Sequence, residues 1–307
     1  MFDSIIVLGA TATGKTDFAI KLAHQLNAEI INADSMYIYK DFNIGTAKPT
    51  PKEMNGINHH LIDFLDPLQN FSVSNYRQLA SIEINKLFDK NIVPIVVGGT
   101  GFYIDSLIKP FSYGNTERDE KLRSELEEEL KLKGEKYLHD KLAKLDYNSS
   151  LKIHQNDTMR VIRAIEICLS SKTKKSEISN LDNVILKNPL IIGLTMPREL
   201  LYERINKRVE LMIENGLVSE VENLKSKGYN LDNCNAMKGI GYKEVLAYLN
   251  DECTLEEAID KIKQHSRNYA KRQITWFKRN DDITWLNSLD ADSLEKAIKI
   301  FKEKRGD

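Results

Sequence analysis

An unbroken apolar run, "SIIVL" at 4–8, is followed by "GATATGKT" at 9–16 and by "KTDFAIKLAHQL" at 15–26, whose apolar residues recur three and four apart. The run reads as a buried strand and the spacing as a helix packed on one face. The alternation continues with "AEIINAD" (28–34) as strand, 75–89 as helix and "IVPIVVGG" (92–99) as a second buried strand. This order predicts a parallel α/β sheet flanked by helices. Between 35 and 73 no period is sustained, and so long a loop inside a compact domain is usually functional. From about 113 to 185 the chain is charged, helical in period and poor in β-branched residues, as in "RDEKLRSELEEELKLKGEKYLHDKLAKL". We therefore expect a core of 1–112 and 186–307 with a helical insertion domain at 113–185. "NPLIIGLTMP" (188–197) restores a strand of the sheet, and three or four helices lead to "DITWL" (282–286) and a final helix.

The 307 residues, 41% hydrophobic and 29% charged, supply apolar material for one or two cores. No apolar run approaches the roughly 20 residues that span a bilayer. "MFDS" leads straight into a strand without the basic start of a secretory signal, so a cytoplasmic protein with no membrane partner is expected. Cys168, Cys234 and Cys253 are far apart and outside C-x-x-C spacing, which suggests buried structural thiols rather than a disulfide framework or a zinc site. The net charge of −1 gives no overall attraction to nucleic acid. Charge is segregated, however: "KIKQHSRNYAKRQITWFKR" (261–279) holds seven Lys or Arg and no acid, interleaved with Tyr269, Trp276 and Phe277. On a helix this makes a basic face for phosphates with aromatic residues for packing or base stacking, Trp276 being expected in the core.

The octapeptide fits G-x-x-x-x-G-K-[ST], the phosphate-binding P-loop, set between a strand and a helix. Backbone N–H groups of Gly9, Ala10, Thr11, Ala12, Thr13, Gly14, Lys15 and Thr16 would face an anion, Lys15 would reach the outer phosphate, and the Thr16 hydroxyl would hold Mg²⁺. The loop names only a ligand class, because ATP-binding kinases, GTPases, ATPases and some group transferases cradle a polyphosphate this way. A GTPase is excluded, since "NKLF" (85–88) and "NKRV" (206–209) lack the Asp of N-K-x-D. Asp34, at the end of the second strand, is a metal holder, a general base or a turn cap with Ser35. Arg204 and Arg208 share one helical face, where solvated charges or glutamate pairing would also account for them. His59 and His60 have no third ligand at usable spacing and read as structural or loop residues.

Six blocks in one order carry a more specific signal: "GATATGKT", "ADSMYIYKDFNIGTAKP" (33–49), "HHLIDF" (59–64), "VVGGTGFYI" (96–104), "GIGYKE" (239–244) and "AKRQITWF" (270–277). Together they resemble the tRNA dimethylallyltransferase (tRNA isopentenyltransferase) family, with Ala10, Thr13 and Tyr37 where Pro, Ser and Gln are usual. The resemblance implies a P-loop NTPase-like sheet with a helical insertion. It further implies transfer of a dimethylallyl group from dimethylallyl diphosphate to the exocyclic amine of the adenosine just 3′ of the anticodon, by a monomer. Asp34, Thr16 and Arg208 would be catalytic, with the P-loop and Mg²⁺ holding the departing diphosphate. Contacts to the tRNA anticodon stem-loop are implied for Asp34, Ser35, Met36 and Tyr37, for Thr100 and Arg123, and for Met159, Arg160, Val161, Ile162 and Arg163. They are implied also for Lys238, Gly239, Ile240, Gly241 and Tyr242, and for Lys271, Arg272 and Gln273. A P-loop kinase with Asp34 as base and a non-catalytic tRNA binder are the alternatives. The basic stretch weighs against the first, and the intact Lys15, Thr16 and Asp34 against the second.

Overall fold

The computed structural model describes residues 2–110, 119–171 and 184–305. The chain divides into two compact units, one of Met1–Ile108 with Ile185–Asp307, the other of Lys109–Val184. In the first, β1 (Ser4–Gly9), β2 (Ala28–Asn32), β3 (His59–His60), β4 (Val93–Gly98), β5 (Pro189–Thr195) and β6 (Thr284–Asn287) form one sheet in the order β3-β2-β4-β1-β5-β6, with every pair parallel. A buried parallel sheet needs apolar residues on both faces, which is why its strands read as continuous runs rather than alternations. Ile5 and Val7 face the core under α1 (Lys15–Leu26) and α11 (Ser293–Arg305). Ile6 and Leu8 face the opposite core, with α2 (Val73–Asp89) and α3 (Gly101–Ile108).

Two elements escape the sequence pattern. β3 has two residues, too few for alternation to register. The eight residues of α3, "GFYIDSLI", are so largely apolar that no polar face marks the helical period. β2 stops at Asn32, two residues before the expected end. There the Asn32 side chain accepts the Asp34 N–H at 2.9 Å and donates to the Asp34 carbonyl at 3.0 Å, and this local turn replaces the ladder. His60 is held structurally between Glu29 (2.6 Å) and Glu83 (3.2 Å).

The segment 35–65 folds onto a helical layer of the same unit: Ile38, Tyr39 and Phe42 are buried against α7 (Arg198–Glu214), α8 (Leu217–Ser226) and α9 (Tyr242–Leu249). α10 (Leu255–Phe277) completes this layer and carries the basic stretch. Trp276 is half-buried rather than core, meeting Phe102 edge-on at 5.7 Å, and the true core residue at this end is Phe277. Of the three thiols only Cys234 is buried; Cys168 and Cys253 are partly exposed.

The second unit has α4 (Glu120–Leu145, broken at Gly134), α5 (Tyr147–Lys152) and α6 (Thr158–Ser171) around its own core of Leu126, Leu138, Leu142, Val161, Ile162 and Ile165. Parts of the expected insertion, 113–118 and 172–183, lie outside the described residues, as do 111 and 112 at the end of the expected first core segment. No helix among the described residues is long and apolar enough to cross a membrane.

Candidate active site

β1 lies in the middle of the sheet, and the loop after it leads directly into α1. Gly14 caps that helix at φ 86, a left-handed conformation that strains any residue with a Cβ, and no side chain caps the helix start. The first N–H groups of α1 are therefore left facing an anion site, and the helix dipole adds to their field. Lys15 Nζ donates to the Ala10 carbonyl at 2.7 Å, folding back along the loop, while the Thr13 hydroxyl bonds the same carbonyl at 2.8 Å. Burial lowers the Lys15 ammonium to about 8, opposed by the nearby charge of Asp34 and reinforced by that of Arg208.

Asp34 follows β2 across the sheet. Its backbone is fixed by Asn32, and its Oδ1 accepts the Met36 N–H at 2.9 Å. Burial raises its carboxyl above the usual carboxylate range, against the pull of the Met36 N–H, Lys15 and Arg208. The next turn is pinned by Thr100, whose Oγ1 accepts the Ser35 N–H at 3.0 Å.

Arg208 on α7 donates to Thr11 Oγ1 at 3.1 Å and to the Thr46 carbonyl at 3.3 Å, so it joins the P-loop to the segment 43–48. That segment is held from below by Glu220, whose carboxylate accepts the N–H groups of Asn43, Ile44 and Gly45 at 2.8–3.2 Å and the Tyr242 hydroxyl at 2.7 Å. Tyr37 closes the same wall by donating to the Ala47 carbonyl at 2.8 Å, and burial pushes its phenol up to about 12. Nothing in the sequence pattern marks Thr46 or Glu220, beyond the unexplained length of the loop they support.

These groups converge. A cavity of about 650 Å³ is lined by Thr11, Lys15, Thr16, Asp34, Tyr37 and Arg208 among others. A neighbouring one of about 390 Å³ shares Thr11, Asp34, Thr46, Arg208, Met212 and Tyr269 with it and adds Ser35, Met36, Lys238, Gly239, Ile240 and Arg272. Asp34 thus stands where a polyanion cradle meets a second chamber. Thr16 offers a hydroxyl oxygen to a cation there. Mg²⁺ usually takes one or two protein oxygens and completes its shell with phosphate oxygens and water, so this donor set fits it.

Several side chains expected at an RNA surface are placed elsewhere. Val161 and Ile162 are buried in the helical unit, on the apolar stripe formed by 161, 162 and 165 of α6, so neither side chain can reach RNA. Met159 and Arg160 of the same helix are exposed, and Arg163 lies half-buried beside Glu166 at 3.4 Å. Arg123 is turned inward, bonded to Glu127 at 2.9 Å and 3.7 Å from buried Glu166. Tyr242 is core, and Gly241 caps α9 through the Glu244 carboxylate. Gln273 is also buried, and both ends of its amide are bonded to backbone. Within the basic stretch Lys263 pairs with Glu210 and Arg267 with Asn206, while Lys271 and Arg272 are exposed, with Arg272 over the Tyr269 ring.

Residues 37–280 match the family model described as IPP transferase. The match begins beyond the P-loop, but relatives extend over it. A tRNA dimethylallyltransferase of Acetivibrio thermocellus is 48% identical over 98% of this chain and 97% of its own, and that of Bacillus subtilis is 43% identical over 98% and 96%. Among solved structures, the full-length tRNA isopentenylpyrophosphate transferase of Bacillus halodurans aligns with a TM-score of 0.72 at 41% identity, covering 99% of this chain and 96% of that one. A eukaryotic dimethylallyltransferase acting on tRNA aligns with a TM-score of 0.86 at 29% identity, covering 100% and 80%. The chain belongs to the tRNA dimethylallyltransferase family of prenyl transferases.

Proposed function

We propose that the protein transfers the dimethylallyl group of dimethylallyl diphosphate to the exocyclic amine of the adenosine 3′-adjacent to the anticodon of tRNA, with Asp34 as general base. The observation that carries this reading is the shared cavity wall: a single carboxylate stands between the P-loop chamber and the chamber lined by Met36, Lys238, Gly239 and Arg272. The amine nitrogen attacks the allylic carbon, the carbon–oxygen bond to the diphosphate breaks with its electron pair leaving on oxygen, and the amine proton passes to Asp34. An adenine amine is a poor nucleophile because its lone pair is delocalised, so a base aligned with it lowers the barrier. The P-loop N–H groups, Lys15 and Arg208 stabilise charge growing on the leaving oxygens. Thr16 and the diphosphate would hold Mg²⁺, which when bound supplies further neutralisation of that charge. The target base must leave its stack, which is cheapest in a single-stranded loop. A cytoplasmic monomer acting on anticodon stem-loops fits this chemistry.

The test is incubation with unmodified tRNA, Mg²⁺ and either dimethylallyl diphosphate or ATP, followed by mass analysis of the nucleosides. Prenylated adenosine is expected with the first donor; phosphate transfer from ATP would replace this reading with a kinase.

The pH profile follows from two perturbed groups. Asp34 works only when ionised, and burial raises its pKa, so kcat/KM climbs with pH through a region above the ordinary carboxylate range. Lys15 works only when charged, and its pKa is lowered to about 8, so kcat/KM falls again above about pH 8. A bell is expected, and Lys15→Arg should remove its alkaline limb, because arginine stays charged throughout. A profile rising monotonically to pH 10 would contradict the role of Lys15.

Lys271→Ala with Arg272→Ala should weaken tRNA binding and flatten the slope of log K against log salt by about 1–2, because each lost phosphate contact releases fewer counterions. Filter binding across a salt series measures this, and an unchanged slope would take α10 out of the interface.

A further inference from the structure

Gln273 lies on α10 next to Lys271 and Arg272, yet it is only 5% exposed. Its Oε1 accepts the Thr11 N–H at 2.8 Å, and its Nε2 donates to the Gly99 carbonyl at 3.0 Å. Thr11 belongs to the P-loop. Gly99 precedes Thr100, whose hydroxyl accepts the Ser35 N–H at 3.0 Å and bonds the Ser35 hydroxyl at 3.2 Å, one residue from Asp34. One amide therefore spans the loop that cradles the leaving group and the loop that seats the base. The fit is chemical as well as geometric. Thr11 offers a donor and Gly99 an acceptor, so a neutral amide satisfies both, whereas a carboxylate would meet the Gly99 oxygen with like charge and an apolar chain would leave both backbone groups unpaired. The contact is close: a Cβ built on Gly99 would lie 2.2 Å from Gln273 Nε2.

We propose that Gln273 is a positioning residue that sets the distance between the diphosphate cradle and Asp34, and that it is not an RNA contact. The inference rests on the prenyl-transfer reading above. A displacement of about 1 Å in such a site costs roughly 100-fold in rate, so the loss belongs in kcat. Gln273→Met keeps the length of the side chain and removes both bonds, while Gly99→Ala leaves the glutamine in place and pushes its amide off its seat.

Each variant should lower single-turnover kcat about 10–100-fold with tRNA Kd within about threefold of wild type. The double variant should be no slower than the worse single, since both break one link. Wild-type enzyme in the same assay separates the two proposals: no prenylated adenosine from wild type contradicts the reaction itself. Product from wild type, with either folded variant at full kcat, overturns the positioning role. A loss of tRNA affinity at unchanged kcat would make Gln273 an RNA contact after all, and rate losses that multiply in the double variant would show two independent sites. If Gln273→Met melts early, Gly99→Ala carries the test, with kcat and tRNA Kd read on the same preparation.

Discussion

Replacing Asp34 by Asn should reduce turnover by about 10²–10⁴-fold, the range for loss of a positioned base, while tRNA affinity stays within a few fold. The substitution is nearly isosteric, and an amide oxygen can still accept the Met36 N–H that Asp34 Oδ1 accepts at 2.9 Å. The variant should also be no less stable. A carboxyl whose pKa is raised in the folded state disfavours folding once ionised, at pH values above that pKa, and the disadvantage disappears as pH falls through it. A neutral amide escapes this cost at any pH above that pKa, so the melting temperature of Asp34→Asn measured there should equal or exceed that of wild type. An inactive protein that melts early would point to structural damage, and a loss confined to tRNA binding would contradict the base assignment. Quench-flow turnover, tRNA titration and a thermal melt measure the three quantities.

Lys15→Ala should be nearly as damaging, lowering kcat/KM about 10²–10³-fold, as expected when a preorganised donor to a developing anion is removed. Its ammonium is the cation of the loop itself, held at 2.7 Å from the Ala10 carbonyl at the start of α1. The same variant should release inorganic diphosphate more readily, so product inhibition should weaken alongside the rate. Arg208 reaches the loop from α7, donating to Thr11 Oγ1 at 3.1 Å, and its loss should be smaller because Lys15 and the loop amides remain. Equal losses in Lys15→Ala and Arg208→Ala would contradict this ranking. Initial rates over a range of donor concentrations, with and without added diphosphate, distinguish the cases.

Much of the fold is legible in the sequence for a physical reason. β1, β4 and β5 are buried on both faces and read as apolar runs, β2 keeps Ala28, Ile30 and Ile31 inside around Glu29, and α1 and α2 carry a stripe at helical spacing. β3 and α3 are not legible, because one is too short for a period and the other too apolar in composition to show a polar face. At the site, Lys15 and Thr16 announce themselves, since the loop chemistry is local. The meeting of Asp34 with Arg208 does not, because they lie 174 positions apart and only the sheet and the α7–α10 layer bring them to one cavity.

Segment-level resemblance also ignores burial. It assigns Val161, Ile162, Tyr242 and Gln273 to an RNA surface, whereas the first three are core side chains and the fourth braces the P-loop. For α6 the sequence held a warning: apolar residues at 161, 162 and 165 mark an inward stripe, which leaves Met159 and Arg160 as its outward candidates. Gln273 gave no such signal, because a glutamine among lysines and arginines looks like one more solvated residue.

The central claim is that one cavity holds the departing diphosphate and the base that deprotonates the RNA amine. A crystal structure with an unreactive thio-analogue of the donor and an unmodified anticodon stem-loop tests it most directly. The account predicts the diphosphate on the amides of 11–16 and Lys15, with the target amine within hydrogen-bond reach of Asp34. An adenosine bound elsewhere, or an Asp34 carboxylate facing away from it, would contradict the account.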